Sequence, residues 1–139
     1  MITKLKTAKA GFTLVEIMIV VAILALLASI ALPNFLRAKK RAQAVMVLEE
    51  IQLIEKAKAL YAVENSLPGS ASLPWSGIQK HIKNGARLAN ANLMLPTDLM
   101  NNSINLGVVE VAPKISDTTR DEFASVLLDP KAFWGSYAN

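Results

Sequence analysis

The stretch KTAKAGFTLVEIMIVVAILALLASIALPNF, residues 6–35, decides how the rest of the chain is read. Between Phe12 and Leu36 its only ionisable side chain is Glu16. Residues 12–36 exceed the roughly 20 helical residues that a bilayer core requires. A helix that is apolar on every side must be enclosed by protein or by lipid. A chain of 139 residues is too small to enclose it, so a membrane-spanning helix is expected here.

The order of features is wrong for a cleaved secretory signal. Such a signal carries its small-residue cut site after the apolar run. Here Ala10 and Gly11 precede the run, and no A-x-A pattern stands immediately after Leu32. Cleavage at Gly11 would leave the apolar segment on the mature chain.

Charge and composition narrow the function classes further. Net charge is +4, from 15 basic and 11 acidic side chains. Without residues 1–11 the balance falls to +1, since Lys4, Lys6 and Lys9 lie in that segment. The basic residues gather at the flanks of the span, with Arg37, Lys39, Lys40 and Arg41 on the far side. They fit anionic headgroups, at about 1 kcal/mol each near the surface. No aromatic residues interleave with them, so nucleic-acid binding is not expected. Because both flanks are basic, the positive-inside rule gives no clear orientation. There is no cysteine, which excludes disulfides, catalytic thiols and thiolate metal sites. The single histidine, His81, cannot build a multi-histidine metal site within one chain. No nucleophile–base pair, phosphate-binding glycine loop or metal cluster is present. The chain is therefore not expected to be an enzyme, and no cofactor or metal is expected.

The segment GFTLVE, residues 11–16, follows a short lysine-bearing leader and precedes an uninterrupted apolar run. In this it resembles the type IV pilins and the type II secretion pseudopilins, over residues 1 to about 60. The resemblance implies a leader, residues 1–11, cut between Gly11 and Phe12 by a prepilin peptidase that also methylates the new Phe12 amine. It implies that Glu16 is the assembly acid and Pro33 the helix-kinking proline. It also orients the chain in the bacterial inner membrane as a single-pass protein, leader cytoplasmic and head outside. Partners would be further copies or pseudopilin co-subunits, the prepilin peptidase/methyltransferase and an inner-membrane assembly platform. The final location would be a periplasmic pseudopilus or a cell-surface pilus.

Glu16 then has a physical rationale. An unpaired carboxylate in a span costs about 2.5–3.5 kcal/mol on insertion scales. Cleavage would create a partner, the α-amino group of Phe12, whose reference pKa is about 7.7–8.0. Methylation keeps that charge. A second copy, stacked with an axial offset, could bring its Phe12 amine beside Glu16 and so set the register, as a polar residue does in a coiled coil. The competing reading is an interfacial acid without a role. Ala22, Ala25, Ala28, Ser29 and Ala31 are small and permit close helix approach.

Pro33 lacks an amide hydrogen and clashes with the preceding turn, so a kink or local opening is expected, with Ala25–Pro33 the weak stretch by resemblance. Beyond it Ala44, Val47, Leu48, Ile51, Ile54 and Tyr61 recur at three- and four-residue steps, an apolar stripe expected to cover a head domain. Asn65, Ser66, Pro68 and Gly69 end the helix. The domain reading is thus 1–11 leader, 12–36 transmembrane or filament-core helix, 37–65 amphipathic stem and 66–139 head.

Within the head, SLPWSGIQKHIKNG predicts a short helix. Pro74 lies in its first turn, Trp75, Ile78 and Ile82 share a face, and Gly85 stands at its end. His81 is expected beside that face as a partly exposed packing residue. INLGVVEV, residues 104–111, gives a strand signal interrupted by Gly107. TRDE, residues 119–122, fits a capping box followed by Phe123, Val126 and Leu127 on one face. The aromatic tail DPKAFWGSYAN is expected to dock on the head or on the next subunit. Asp117, Asp121, Glu122 and Asp129 match no calcium-loop spacing and are read as surface charge. By resemblance, the fold class is α+β, with a small antiparallel sheet packed against a long helical stem.

The leading function is a structural pilin-like subunit polymerising into a type II secretion pseudopilus. A major or minor type IV pilin, for adhesion, motility or DNA uptake, is the alternative. A membrane-anchored binding module that does not polymerise is a reading of another class.

Overall fold

A computed structural model describes residues 11–82, 86–90 and 95–138. Residues 1–10 of the expected leader, 1–11, and Gly85 lie outside the described residues. Helix α1 runs over Leu14–Glu64, followed by four short helices: α2 (Trp75–Gln79), α3 (Arg87–Asn90), α4 (Asp117–Ala124) and α5 (Pro130–Trp134). A single 3-10 turn, Gly135–Tyr137, closes the order. The chain divides into two compact units, one ending at Leu36 and the other running from Arg37 to Asn139.

The described part of the first unit is helical from Leu14 onward, and the helix passes through Pro33 without interruption. Its side chains have no cover. Leu14, Leu26, Ile30 and Phe35 are between 65 and 76% exposed, and every other described residue of the unit is exposed as well. This is the long apolar helix that length and composition alone lead one to expect of a membrane span.

The second unit is organised by the other half of α1. Ala44, Val47, Ile51, Ile54, Lys58 and Ala62 are buried at steps of three and four residues. Against them pack Trp75 and Ile78 of α2, then Ile82, Leu88, Ile104, Ile115, Phe123, Val126 and Trp134. The predicted α2 is present, with Pro74 before its first residue and Trp75, Ile78 and Ile82 buried together. Gly77 lets α2 lie close to α1, since a Cβ there would come 2.4 Å from the Tyr61 ring.

Helix α1 stops at a Schellman motif built on a serine. Ser66 adopts φ 50°, Leu67 N–H donates to the Ala62 carbonyl at 2.9 Å, and Ser66 N–H donates to that of Val63 at 3.2 Å. The Asn65 amide also donates to the Tyr61 carbonyl, at 2.9 Å.

Two expectations for the head are corrected. Among the described residues the β pairing amounts to three isolated antiparallel bridges, Ser72–Val108, Thr97–Ser103 and Asn105–Lys114. No strand forms over residues 104–111. Gly107 takes φ 61° and turns the chain, so that carbonyls on both sides of it face one ammonium group. The cap of α4 lies one turn earlier than the TRDE pattern suggests. Ser116 is extended and its hydroxyl accepts from Thr119 N–H, whereas Thr119 is already helical. The Thr119 hydroxyl is committed instead to the buried Asp98 carboxylate.

Candidate functional site

Residues 11–13 precede α1 without regular structure, and Phe12 is 80% exposed. Among the described residues nothing lies within 4 Å of where a Gly11 side chain would begin. Directly after Phe12, Thr13 and Glu16, three residues apart, cap the helix reciprocally. Glu16 N–H donates to the Thr13 hydroxyl at 3.2 Å, and Thr13 N–H donates to the Glu16 carboxylate over a longer 3.5 Å. This is a capping box, which satisfies two of the free N–H groups at a helix start.

The box has consequences for Glu16. It turns the carboxylate back toward the amino-terminal end of the helix, where the peptide dipoles also favour negative charge. A carboxylate offers about four acceptor positions, so one long backbone bond leaves room for a second partner. Sequence reasoning singled out Glu16 but missed Thr13. The signal was present, since T-x-x-E directly before an apolar run is a helix-start signature.

Beyond Glu16 the exposed helix carries Ala22, Ala25, Ala28, Ser29 and Ala31. The Ser29 hydroxyl donates to the Leu26 carbonyl at 2.7 Å, so this polar group is satisfied within its own helix. Glu16 is thus the one ionisable side chain of the described first unit.

The second unit holds a buried polar centre that sequence reading also missed. Lys58 is 2% exposed and its ammonium donates to the carbonyls of Leu106, Val108 (3.0 Å) and Val111 (2.7 Å). Three donors meet three acceptors, which offsets much of the cost of burying the charge. Burial pushes the Lys58 pKa down, and the nearby Glu55 carboxylate partly opposes this. Lys58 stands four residues after Ile54, on the apolar stripe, and that position was the available signal.

A second network surrounds Asp98, also 2% exposed. It accepts from Met100 N–H at 2.8 Å, from Asn102 N–H at 2.9 Å and from the Thr119 hydroxyl. Arg87 makes a two-pronged pair with Glu50 at 2.7 and 2.8 Å, which raises its pKa further.

The remaining candidates take structural places. His81 pairs with Glu64 at 3.0 Å and meets the Tyr61 ring edge-on. Asp117 and Asp121 pair with Arg120, Glu122 pairs with Lys40, and Asp129 caps α5 through Ala132 N–H. The aromatic tail docks on its own second unit. Trp134 is fully buried against Phe123 and Phe133, and the Tyr137 hydroxyl donates to Glu55 at 2.6 Å. That bond pushes the Tyr137 phenol up to about 12.

Comparison with known proteins places this geometry. Residues 6–32 match the Prokaryotic N-terminal methylation motif. The chain is 41% identical over 56 residues to the type IV wide pilus major component of Thermus thermophilus, covering 40% of this chain and 43% of that protein. It is 41% identical over 59 residues to type II secretion system core protein G of Vibrio cholerae, covering 42% and 40%. To the type IV major fimbrial protein of Dichelobacter nodosus it is 34% identical over 73 residues, covering 52% and 47%. The chain thus spans under half the length of these curated relatives. No solved structure matches it significantly. The chain is therefore pilin-like in its amino-terminal segment, carrying the methylation motif and similar to proteins of both type IV pili and type II secretion systems.

Proposed function

We propose that this chain is a structural subunit of a type II secretion pseudopilus. In this reading a prepilin peptidase removes residues 1–11 and methylates Phe12, and an inner-membrane platform then polymerises the product. Residues 12–36 anchor the subunit and later line the filament core, residues 37–65 carry the head on their amphipathic face, and residues 66–139 form that head. The chain sits in the bacterial inner membrane, leader inside and head outside, before joining a periplasmic filament. An α+β head belongs to the same reading, supported by three antiparallel bridges.

One observation carries this proposal. The part of α1 before Arg37 begins within the methylation motif, is apolar and wholly exposed, and has its single acid in the first turn. Lipid can cover the apolar surface of one copy, but a carboxylate gains from a cation. The Phe12 amine of another copy supplies one when the spans pack together. Pro33 serves as the place where the helix kinks or opens during packing.

The test is assembly. With the whole chain and its assembly machinery present, cells opened to free the periplasm release filaments of this subunit. Glu16→Ala should insert and be cut as before yet release none; normal assembly of that variant would overturn the reading. The second reading, a type IV pilin for adhesion, motility or DNA uptake, is favoured by the similarity to the Thermus and Dichelobacter pilus proteins. A retraction ATPase gene beside this one would support it, and secretin and pseudopilin genes would support secretion. An anchored module that does not polymerise would keep an uncut amino terminus.

A further inference from the structure

The four basic residues after the apolar run do not share one fate. Lys40 pairs with Glu122 at 2.8 Å, and Arg41 Nε donates to the Val126 carbonyl at 2.7 Å. Arg37 and Lys39 are exposed, and among the described residues neither has a partner. The two terminal nitrogens of Arg41 have none there either. Arg41 lines a groove of about 350 Å³ together with Val45, Leu127, Leu128 and Phe133. Leu128 is 99% exposed, above every other large apolar side chain described, and Val45 is 44% exposed. Leu127 and Phe133 are half-buried and fasten this edge to the core of the second unit. Asp129 lines the groove as well, but its carboxylate is turned to Ala132 N–H as the cap of α5.

We infer that this edge of the head docks on an anionic phospholipid surface, with lipid phosphate on the free side of the Arg41 guanidinium and Leu128 inserted beside it. The inference rests on the reading that residues 12–36 lie in a bilayer, and it does not depend on polymerisation. Flanking charges alone would hold lipid to the helix and leave the head free. Here a segment of the head, Glu122 to Leu128, is tied to those same charges.

Height along the helix identifies the partner. The apolar run ends at Leu36, so the headgroups of that bilayer begin at about Arg37. The headgroup layer is about 5–7 Å deep on each side, and Arg41 stands about 6 Å beyond Arg37. Helical side chains lean toward the helix N-terminus, here toward the lipid. The Arg41 guanidinium and the Val126 carbonyl that it holds therefore fall within the headgroup layer. Leu128 lines one groove with that guanidinium, so its side chain meets the bilayer and not bulk water.

Charge selects the kind of lipid. Arg41 is fixed through Nε, and its terminal nitrogens offer a planar fork for phosphate oxygens. Arg37, four residues earlier, shares its helix face, and Lys39 adds a third cation free of protein partners. A surface rich in anionic lipid attracts this cluster more strongly than a zwitterionic one. Free phosphate would satisfy the guanidinium but leave Leu128 in water.

The chain contains no cysteine, so a single nitroxide label reports one position. The full chain, labelled at Leu128→Cys, is reconstituted in vesicles of equal parts phosphatidylcholine and phosphatidylglycerol. Relaxation of the label by oxygen, which concentrates in lipid, is compared with relaxation by a water-soluble nickel chelate. Oxygen should dominate at position 128. Nickel should dominate at Ser70→Cys, an exposed position past the C-terminal end of α1. Vesicles of phosphatidylcholine alone should return the 128 label to water. Arg41→Gln, whose amide can still donate to the Val126 carbonyl, should lower the ratio of docked to free heads about fivefold. With the label moved to the exposed Ser125→Cys, Leu128→Asn should lift it out of the lipid.

A 128 label that stays in water overturns the inference. So does immersion that ignores phosphatidylglycerol, Arg41→Gln or Leu128→Asn. Dipolar broadening between labels would mean that a second copy covers Leu128, and overturns it too. A label at Ile23→Cys separates the readings. Found in lipid, it leaves the span standing whatever happens at 128; found in water, it sinks the span and this inference together.

Discussion

Within α1 the residues before Arg37 and those after it obey one local rule and two different solvents. Both stretches are rich in Leu, Ile, Val and Ala, and both are helical. Before Arg37 no described side chain is buried. After it, one face is covered by a core that includes both tryptophans. Helix propensity is therefore not what separates them. The later stretch is stabilised by its own head, whereas the earlier one must find cover in lipid or in copies of itself. On the proposed reading, position along the helix thus divides assembly from folding.

That division can be broken most severely at Glu16. Glu16→Gln retains a side chain that serves a capping box but carries no charge. If the charge is what assembly requires, this variant keeps helicity and cleavage and loses filaments altogether. Retained filaments would assign Glu16 to the cap alone. A milder contrast sets one truncation in each stretch. Ile51 is fully buried and Ile23 is 53% exposed. Because Trp75 and Trp134 both lie in the second unit's core, tryptophan fluorescence during denaturation in detergent follows that unit. Ile51→Ala should cost about 2–5 kcal/mol in this transition, and Ile23→Ala less than about 0.5 kcal/mol. Equal effects would erase the distinction.

Lys58 sharpens the later half. Lys58→Met takes the ammonium donor from the Leu106 and Val111 carbonyls, while that of Val108 keeps Val111 N–H, at a cost of about 2–4 kcal/mol by the same fluorescence measurement. A neutral result would mean that the turn closes without it. The smallest effect is at Tyr137. Its phenol is raised from 10.0 to about 12 by the bond to Glu55. The unfolded chain gives up this proton first. The bond's contribution is thus fully present below pH 10 and is lost as pH rises from 10 toward 12. Tyr137→Phe should therefore flatten the fall in stability across that window, and an unchanged slope would remove the bond's role.

Much of this was legible in the sequence because it depends on local pattern. The exposed apolar helix, the buried stripe through Ile51 and Ile54, and the packing of Trp75, Ile78 and Ile82 follow from periodicity alone. Thr13 was legible and went unread, since attention rested on the charge of Glu16 and not on the spacing to it. The strand over residues 104–111 misled for a different reason. Its composition favours extension, but Lys58, some fifty residues away in sequence, draws its carbonyls together, and no local window contains that interaction. The Asp98–Thr119 bond likewise displaced the expected cap of α4, again through a contact distant in sequence.

The central claim is that the exposed half of α1 is freed from its leader and then covered by other copies. Mass spectrometry of the subunit recovered from filaments freed from the periplasm tests this most directly. The account expects a chain that begins at Phe12 and carries one added methyl group. A subunit that still begins at Met1, found in the membrane and absent from any filament, would contradict it.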